Sequence, residues 1–422
     1  MVGSSCKGVR NTFNATSLRN GAENLRTVNS LKDDGVTQAG KYSLLLGDEH
    51  SLTAGWDLES RERTERRTVT QQGQPVLPSF EGQPYDARVR RTALFVQDEW
   101  ELSTQWQLYL GLRSERIRTE SRSSTDTVVN TSSVTSPLAH LTWKLDAKGR
   151  DMVRASLTRS YRAPGIGSLL ARPSVASQYT DTNAPNTELA PDRIGNPALR
   201  PELATGLDIA FEKYLPGGGM WSVGLFHRRI TDLQRSITEL RTVPWATVPR
   251  WVAQPQNFSS AITQGIELEV KGRAVEFMPT LLDKANPLNV RASLNLYRSR
   301  VNALPGPDNR LDGQQPWTAT FGADQRINGL PLTVGGSVTL NPAYDTQLSL
   351  AQTQQRSRTH TVDVYGQWVV RQGLSTRLAV VQGSQPFGPP NGQTTTLLTN
   401  GDYTRTERRT GPQVNFSVDI KL

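Results

Sequence analysis

The segment Trp106-Gln107-Leu108-Tyr109-Leu110-Gly111-Leu112-Arg113 decides the fold. Its apolar residues Trp106, Leu108, Leu110 and Leu112 take every second position, with Gln107, Tyr109, Gly111 and Arg113 between them. Successive side chains of a strand leave opposite faces, so a period of two describes a strand with one apolar and one mixed face. A helix would place its apolar stripe at spacings of three and four, and would not carry polar residues inside that stripe.

The alternation recurs along the chain. Ala139, Leu141, Trp143 and Leu145 oppose His140, Thr142 and Lys144. Leu207, Ile209 and Phe211 oppose Asp208, Ala210 and Glu212. Ile266, Leu268 and Val270 oppose Glu267 and Glu269. Leu332, Val334, Val338 and Leu340 continue the pattern, as do Val414, Phe416, Val418, Ile420 and Leu422 at the end. These runs are rich in Thr, Val, Tyr and Trp, which fit a pleated surface. The pattern predicts about fifteen strands, with one more near Asn24–Leu31.

Connections carry a second signal. Short turns are expected at Gly47-Asp48-Glu49, around Ser103-Thr104, at Asp146–Arg150, at Pro216–Gly219, at Asn328-Gly329 and at Arg371-Gln372-Gly373. Long polar connections are expected near Glu62–Ala87, Ser121–Ser136, Pro164–Pro201, Ser236–Ser260, Asn341–Thr359 and Gly383–Gly411. The connection near Gly272–Leu288 takes a short-turn place but is longer than the rest. Short and long alternate, and an up-and-down sheet puts every second connection at the same rim. Outer-membrane barrels have this asymmetry, with short periplasmic turns and long extracellular loops. Trp100, Trp106, Trp143, Trp221 and Trp368 fall near strand ends or on apolar faces, as interfacial girdles require. The expected fold is therefore all-β: an antiparallel up-and-down transmembrane β-barrel of about 15–16 strands.

Composition agrees. The chain has 422 residues, 36% of them hydrophobic. No run approaches the roughly 18 apolar residues of a membrane helix. The net charge of +9 comes from 48 Lys+Arg against 39 Asp+Glu. The basic residues are interleaved with acids, as in Arg61-Glu62-Arg63-Thr64-Glu65-Arg66-Arg67, so nucleic acid is not an expected partner. An anionic lipopolysaccharide or ligand suits the same charge. Cys6 is the only cysteine, and Met1 to Arg10 holds no apolar leader core. The expectation is a fragment, a misplaced start or a truncated gene.

Two stretches resemble TonB-dependent receptors. One is Arg159-Ser160-Tyr161-Arg162-Ala163-Pro164, similar to the family's YRAP segment. The other is Gly195-Asn196-Pro197-Ala198-Leu199-Arg200-Pro201-Glu202, similar to its GNPxLxPE segment, in the same order and spacing. Weaker matches are Leu94–Trp100, similar to FxQDEW; Phe226–Asp232; and Asn257–Glu269, similar to a GIE strand. Read physically, the central pair is structural: Pro197 and Pro201 cannot donate ladder hydrogen bonds, and Gly195-Asn196-Pro197 is turn chemistry.

The resemblance implies the C-terminal part of the barrel over residues 40–422, after a poorly patterned segment 1–39 that holds the one further strand. Family members have a 22-stranded barrel filled by a plug, so the plug and about six strands are expected to lie outside this chain. The terminal Leu422 replaces the usual aromatic. The implied function is import of a scarce nutrient across the outer membrane of a Gram-negative bacterium. A ferric siderophore is the commonest family substrate; cobalamin, haem and glycans are others. TonB would supply energy through the plug, and outer-membrane lipid and lipopolysaccharide would surround the wall. A passive porin or adhesion barrel, and a non-functional truncated receptor, stay open as alternatives.

No enzyme chemistry, cofactor or metal site is expected. His50, His140, His227 and His360 lie on separate strands without metal-ligand spacing. Neither G-x-S-x-G nor G-x-x-x-x-G-K-[ST] occurs. Glu267 and Glu269 share an inward face with many other polar residues. Loop aromatics Tyr179, Trp245, Trp251 and Tyr344 are the candidates for ligand contact.

Overall fold

An extended strand cannot bond its own backbone N–H and C=O groups, which point out along both edges, so each strand needs a neighbour on each side. The computed structural model, which describes residues 2–19, 22–123, 126–146, 149–280, 282, 287–382, 392–409 and 411–421, meets this need by pairing each strand with the next in sequence. The main sheet has eighteen strands; two are the two-residue pairings Gln74–Pro75 and Asp192–Arg193, which leaves sixteen long ones. In chain order these are β1 (Val2–Arg19), β2 (Ala22–Leu46), β3 (His50–Gln71), β4 (Pro84–Glu101), β5 (Trp106–Arg122), β6 (Thr127–Lys144), β7 (Asp151–Arg162) and β8 (Glu202–Tyr214). They continue with β9 (Met220–Arg241), β10 (Arg250–Arg273), β11 (Leu288–Val301), β12 (Trp317–Arg326), β13 (Leu332–Asn341), β14 (Thr359–Arg371), β15 (Leu374–Gln382) and β16 (Gln413–Ile420). All neighbours run antiparallel. Among the described residues no pairing joins β1 to β16, so the sheet is open.

The short turns lie where predicted, all at one rim, and Gly47, Gly149, Gly218, Gly329 and Gly373 hold positive φ there. A residue with a Cβ resists that backbone region, which explains glycine in a two- to six-residue reversal. The connection after β10 is built around a one-turn helix, Ala274–Phe277.

The outward face is apolar in the middle. Leu110 (43% exposed) pairs with Ala139 and Asp98, and Leu157 (55%) pairs with Leu207 (46%). Trp100, Trp106, Trp143, Trp221 and Trp368 share this outward parity, each near the short-turn rim. Trp106 and Trp143 stack there at 5.0 Å with their planes 7° apart. Along β5 about ten residues separate Trp106 from Arg116; at about 3.3 Å per residue and a tilt near 45° they rise about 23 Å, close to the height of a bilayer-facing band.

Two expectations are corrected. Several long connections are much shorter than their polarity suggested: β5 reaches Arg122 and β6 resumes at Thr127, β3 reaches Gln71, and only residues 242–249 separate β9 from β10. The segment 1–39, poorly patterned and expected to hold one strand, holds β1 and most of β2, which pair from Val2↔Gly40 to Arg19↔Ala22 with a register shift between Ser17 and Leu18. The reason is the same in both places. Above an apolar band both faces of a strand are wet, so the ladder continues on backbone hydrogen bonds and ion pairs without alternation. Arg63–Asp33 (2.7 Å) and Arg88–Glu62 (2.6 Å) are such cross-strand pairs. Within the connection Gly383–Gly411, residues 392–409 form the hairpin Gln393–Leu398 and Tyr403–Glu407.

The buried hydrophobic clusters lie at the long-loop end. Tyr85 and Ala87 pack with Leu169, Leu170 and Leu199. Ile230, Leu233, Ala261, Val301 and Leu304 form a second cluster, and Leu77, Val243, Trp245 and Val252 a third.

Candidate functional site

The long connection between β7 and β8 folds over this end of the sheet and is held by one carboxylate. Asp192 and Arg250 are both fully buried, 3.0 Å apart. Arg250 spends all five of its N–H donors: on both oxygens of Asp192, and on the carbonyls of Tyr179 (2.7 Å), Asp181 (3.0 Å) and Ala184 (2.6 Å). Asp192 also accepts from Trp245 Nε1 (2.9 Å), Asn186 Nδ2 (3.3 Å) and the Ala176 N–H (3.1 Å). Asp192-Arg193 then adds a short parallel pairing to Val252-Ala253 of β10.

The Gly195–Glu202 motif finishes the attachment. Gly195 N–H donates to Leu170 O (3.1 Å) and Asn196 N–H to Ser168 O (2.7 Å). Asn196 Nδ2 reaches Pro255 O (2.9 Å), and Gln254 Nε2 reaches Gly195 O (3.0 Å). The motif is thus a clamp between the loop and β10, in line with its structural reading.

Two further loops complete a roof. Tyr344–Gln347 and Gln352–Arg356, from the β13–β14 connection, pair with Gln393–Leu398 and Tyr403–Glu407, from the β15–β16 connection, in a four-stranded sheet. Gln352 Nε2 donates to Glu188 Oε1 (3.0 Å) and Arg235 Nη2 to Gln347 O (2.9 Å), which ties this sheet to the long loop and to β9. Between them lies a cavity of about 540 Å³ lined by Glu188, Arg193, Arg235, Asp312, Gln352 and Thr396, among others.

Arg235 is the notable group. Its side chain is only 4% exposed, its Nε donates to Asp312 (3.0 Å), and its buried Nη1 has no hydrogen-bond partner. An unsatisfied buried donor carries the desolvation penalty of an unmade bond, about 1–3 kcal/mol. Arg235 faces inward because a register shift between Ile230 and Leu233, with Asp232 at φ 54, re-aims the upper part of β9.

The aromatic candidates fall elsewhere. Trp245 is buried and structural, bonded to Asp192. Tyr179 gives its carbonyl to Arg250, the Trp251 backbone N–H donates to Asn186 Oδ1 and its carbonyl accepts from Asn186 Nδ2, and Tyr344 lies under Arg310 (5.7 Å). None of the four lines the 540 Å³ cavity. The charged and amide residues that do line it carried no sequence signal, because nothing local marks an arginine beyond a bulge as inward. The histidines are scattered: His50 Nδ1 meets Asp98 (2.7 Å) beside Trp100, His140 tilts on Tyr109, His227 meets Gln264 (3.2 Å), and His360 sits opposite Leu340. Among the described residues no group of three His, Cys, Asp or Glu could hold a metal ion. Cys6 lies in β1 opposite Val36, and its side chain is outside the described residues.

One carboxyl in this region is out of its usual range. Burial pushes Glu81 upward, opposed by the Val69 N–H and by Arg172. A raised folded value means the protonated form is favoured on folding, so stability falls as pH rises from the ordinary carboxylate range through the raised one. Glu81→Gln should flatten that decline, seen as a thermal midpoint that no longer drops between acid and neutral pH. An unchanged pH profile would remove Glu81 from this role.

The arrangement is that of a membrane-barrel wall whose long loops build a polar vestibule. The family described as TonB dependent receptor-like, beta-barrel matches residues 5–416, and the chain belongs to that family. Its members are outer-membrane β-barrels. Among solved structures the chain resembles the ferric yersiniabactin uptake receptor FyuA from Yersinia pestis, at 12% identity and TM-score 0.63 over 99% of this chain and 58% of that one. It also resembles the ferric-catecholate import receptor Fiu from K12 E. coli, at 11% identity and TM-score 0.64 over 99% of this chain and 61% of that one. The ferric citrate transporter FecA is similar at 13% identity and TM-score 0.64, over 90% of this chain and 53% of that one. These likenesses show the fold, and the chain spans little more than half the length of each. No curated protein sequence matches.

Proposed function

We propose that the chain forms the wall and extracellular vestibule of an outer-membrane receptor that imports a scarce nutrient, with a ferric siderophore as the ligand class. The carrying observation is the roofed 540 Å³ cavity with the unpartnered Arg235 Nη1. Its size suits a small chelate, and a free guanidinium N–H suits the anionic oxygens such chelates carry. The iron reading is supported by the likeness to a ferric yersiniabactin uptake receptor, a ferric-catecholate import receptor and a ferric citrate transporter. TonB would energise release through a plug, as the family implies.

Ferric siderophore binding to the purified protein, followed by tryptophan fluorescence, tests the reading. Arg235→Ala should weaken binding about tenfold, the loss of one charged hydrogen bond. Arg235→Lys keeps the charge without the fork and should fall between. Binding of none of the ferric hydroxamate, catecholate and citrate chelates offered would sink the proposal.

A further inference from the structure

Among the described residues three arginines are buried, and one of them has no counterion. Arg250 is paired with Asp192 and Arg235 with Asp312. Arg172, in the long β7–β8 connection and 8% exposed, is paired with no acid among the described residues. Its Nη2 donates to the carbonyl of Arg67 on β3 (3.3 Å), and Arg67 Nη1 donates to Ser174 Oγ (3.1 Å). Arg67 is in no ion pair among the described residues either, and the Nε of both arginines is buried without a hydrogen-bond partner. Burial, and after it the charge of Arg67, holds Arg172 below the ordinary arginine range. Two cations that share a dry site repel, and their unmade donors add to the cost of burial.

The nearby acids do not supply the missing charge. Glu65 acts on Arg172 only from beyond ion-pair distance. Glu81 accepts from the Val69 N–H, and burial pushes its carboxyl toward the neutral form. The two arginines and Glu81 line a cavity of about 80 Å³ with Ser174, Thr180 and Leu77, where β2, the β3–β4 connection and the long loop meet. A buried water takes about 10–15 Å³ of such space, so the room is that of about six waters. It admits a tetrahedral oxyanion and falls well short of the roughly 300 Å³ or more of an organic-ligand pocket. None of its lining residues lines the 540 Å³ cavity of the vestibule.

We propose that this cavity holds a small inorganic oxyanion, of the phosphate or sulfate class, on Arg67 and Arg172. The planar guanidinium fork matches paired oxyanion oxygens, a geometry that a spherical halide does not offer. Ser174 Oγ accepts from Arg67, which leaves its own O–H to donate. The anion is the counterion that ties residues 172–180 to β3. It binds only the closed loop, so it stabilises closure by mass action. The site does not rest on what the vestibule takes up.

Isothermal titration calorimetry on the whole chain in detergent, with ionic strength fixed by gluconate, tests this with sodium phosphate, sodium sulfate and sodium chloride as separate titrants. Phosphate or sulfate should bind saturably at one site and protect residues 163–201 from limited proteolysis; the tighter of the two names the anion. Chloride should do neither. Arg172→Gln and Arg67→Gln should each weaken binding about tenfold, the loss of one charged hydrogen bond. Arg66→Gln, an exposed neighbour on the other face of β3, should leave it unchanged. Glu81→Gln keeps the acceptor for Val69 but removes the competing carboxylate, and should tighten binding. That variant carries the test if the arginine variants do not fold. No saturable binding of either oxyanion, chloride as effective as both, unchanged affinity in the folded arginine variants, or weaker binding in Glu81→Gln would each overturn the proposal.

Discussion

Replacing Asp192 by alanine is expected to release the long β7–β8 connection while leaving the wall intact. The substitution strands the guanidinium of Arg250, which is 0% exposed, beside three carbonyls and no charge. Removing one partner of a buried ion pair destabilises by about 3–5 kcal/mol, mostly because the other charge remains buried. Trp245 Nε1, Asn186 Nδ2 and the Ala176 N–H lose their acceptor as well. Limited proteolysis should cut within residues 163–201 at protease levels that spare the unaltered protein, and far-UV circular dichroism should stay strand-rich. The double variant Asp192→Leu, Arg250→Met removes both charges and should recover part of the protection. Proteolysis unchanged in Asp192→Ala would show that the ion pair does not hold the loop.

Gly195→Ala is the second large effect. A Cβ built on Gly195 would lie 2.2 Å from Leu170 O and 2.8 Å from Ser168 O, both backbone atoms that cannot rotate away. The loop must then separate from the Ile166–Leu169 turn, breaking the Gly195–Leu170 and Asn196–Ser168 bonds. Overpacking of this kind costs about 1–3 kcal/mol. Gly224→Ala is the control: its Cβ would meet Glu267 at 3.6 Å, ordinary contact. Thermal unfolding should show a lower midpoint for Gly195→Ala than for Gly224→Ala. Equal midpoints would mean that the loop has room the geometry denies.

The glycine also shows how far sequence reasoning reached. Gly195-Asn196-Pro197 was legible as a turn in a family motif, but its function as a clamp needed the distance to Leu170 O, a residue of the same loop that folds back only in three dimensions. Strand existence in the wall was legible because a lipid-facing surface demands an apolar side chain at alternate positions. Strand length was not, since β5 and β6 run on through Arg118 and Thr131 where both faces are wet and no alternation is enforced. The same reason hid the pairing of Val2–Arg19 with β2.

The vestibule was less legible still. Exposed loop aromatics were sensible candidates, yet Trp245 is consumed by Asp192 and the cavity is lined by Arg235, Glu188 and Gln352. Each of these is an ordinary polar residue until the bulge in β9 and the pairing of two loop hairpins bring them together.

Sequence alone determined the antiparallel wall, its apolar band, the rim that carries the short turns and the family, because period-two patterning, turn glycines and the two motifs are local properties of the chain. Tertiary structure decided which polar residues face each other. Asp192 and Arg250 are 58 residues apart, Arg235 and Asp312 are 77 apart, and Arg67 and Arg172 are 105 apart. Such meetings depend on strand register and loop folding, which sum contributions from the whole sheet.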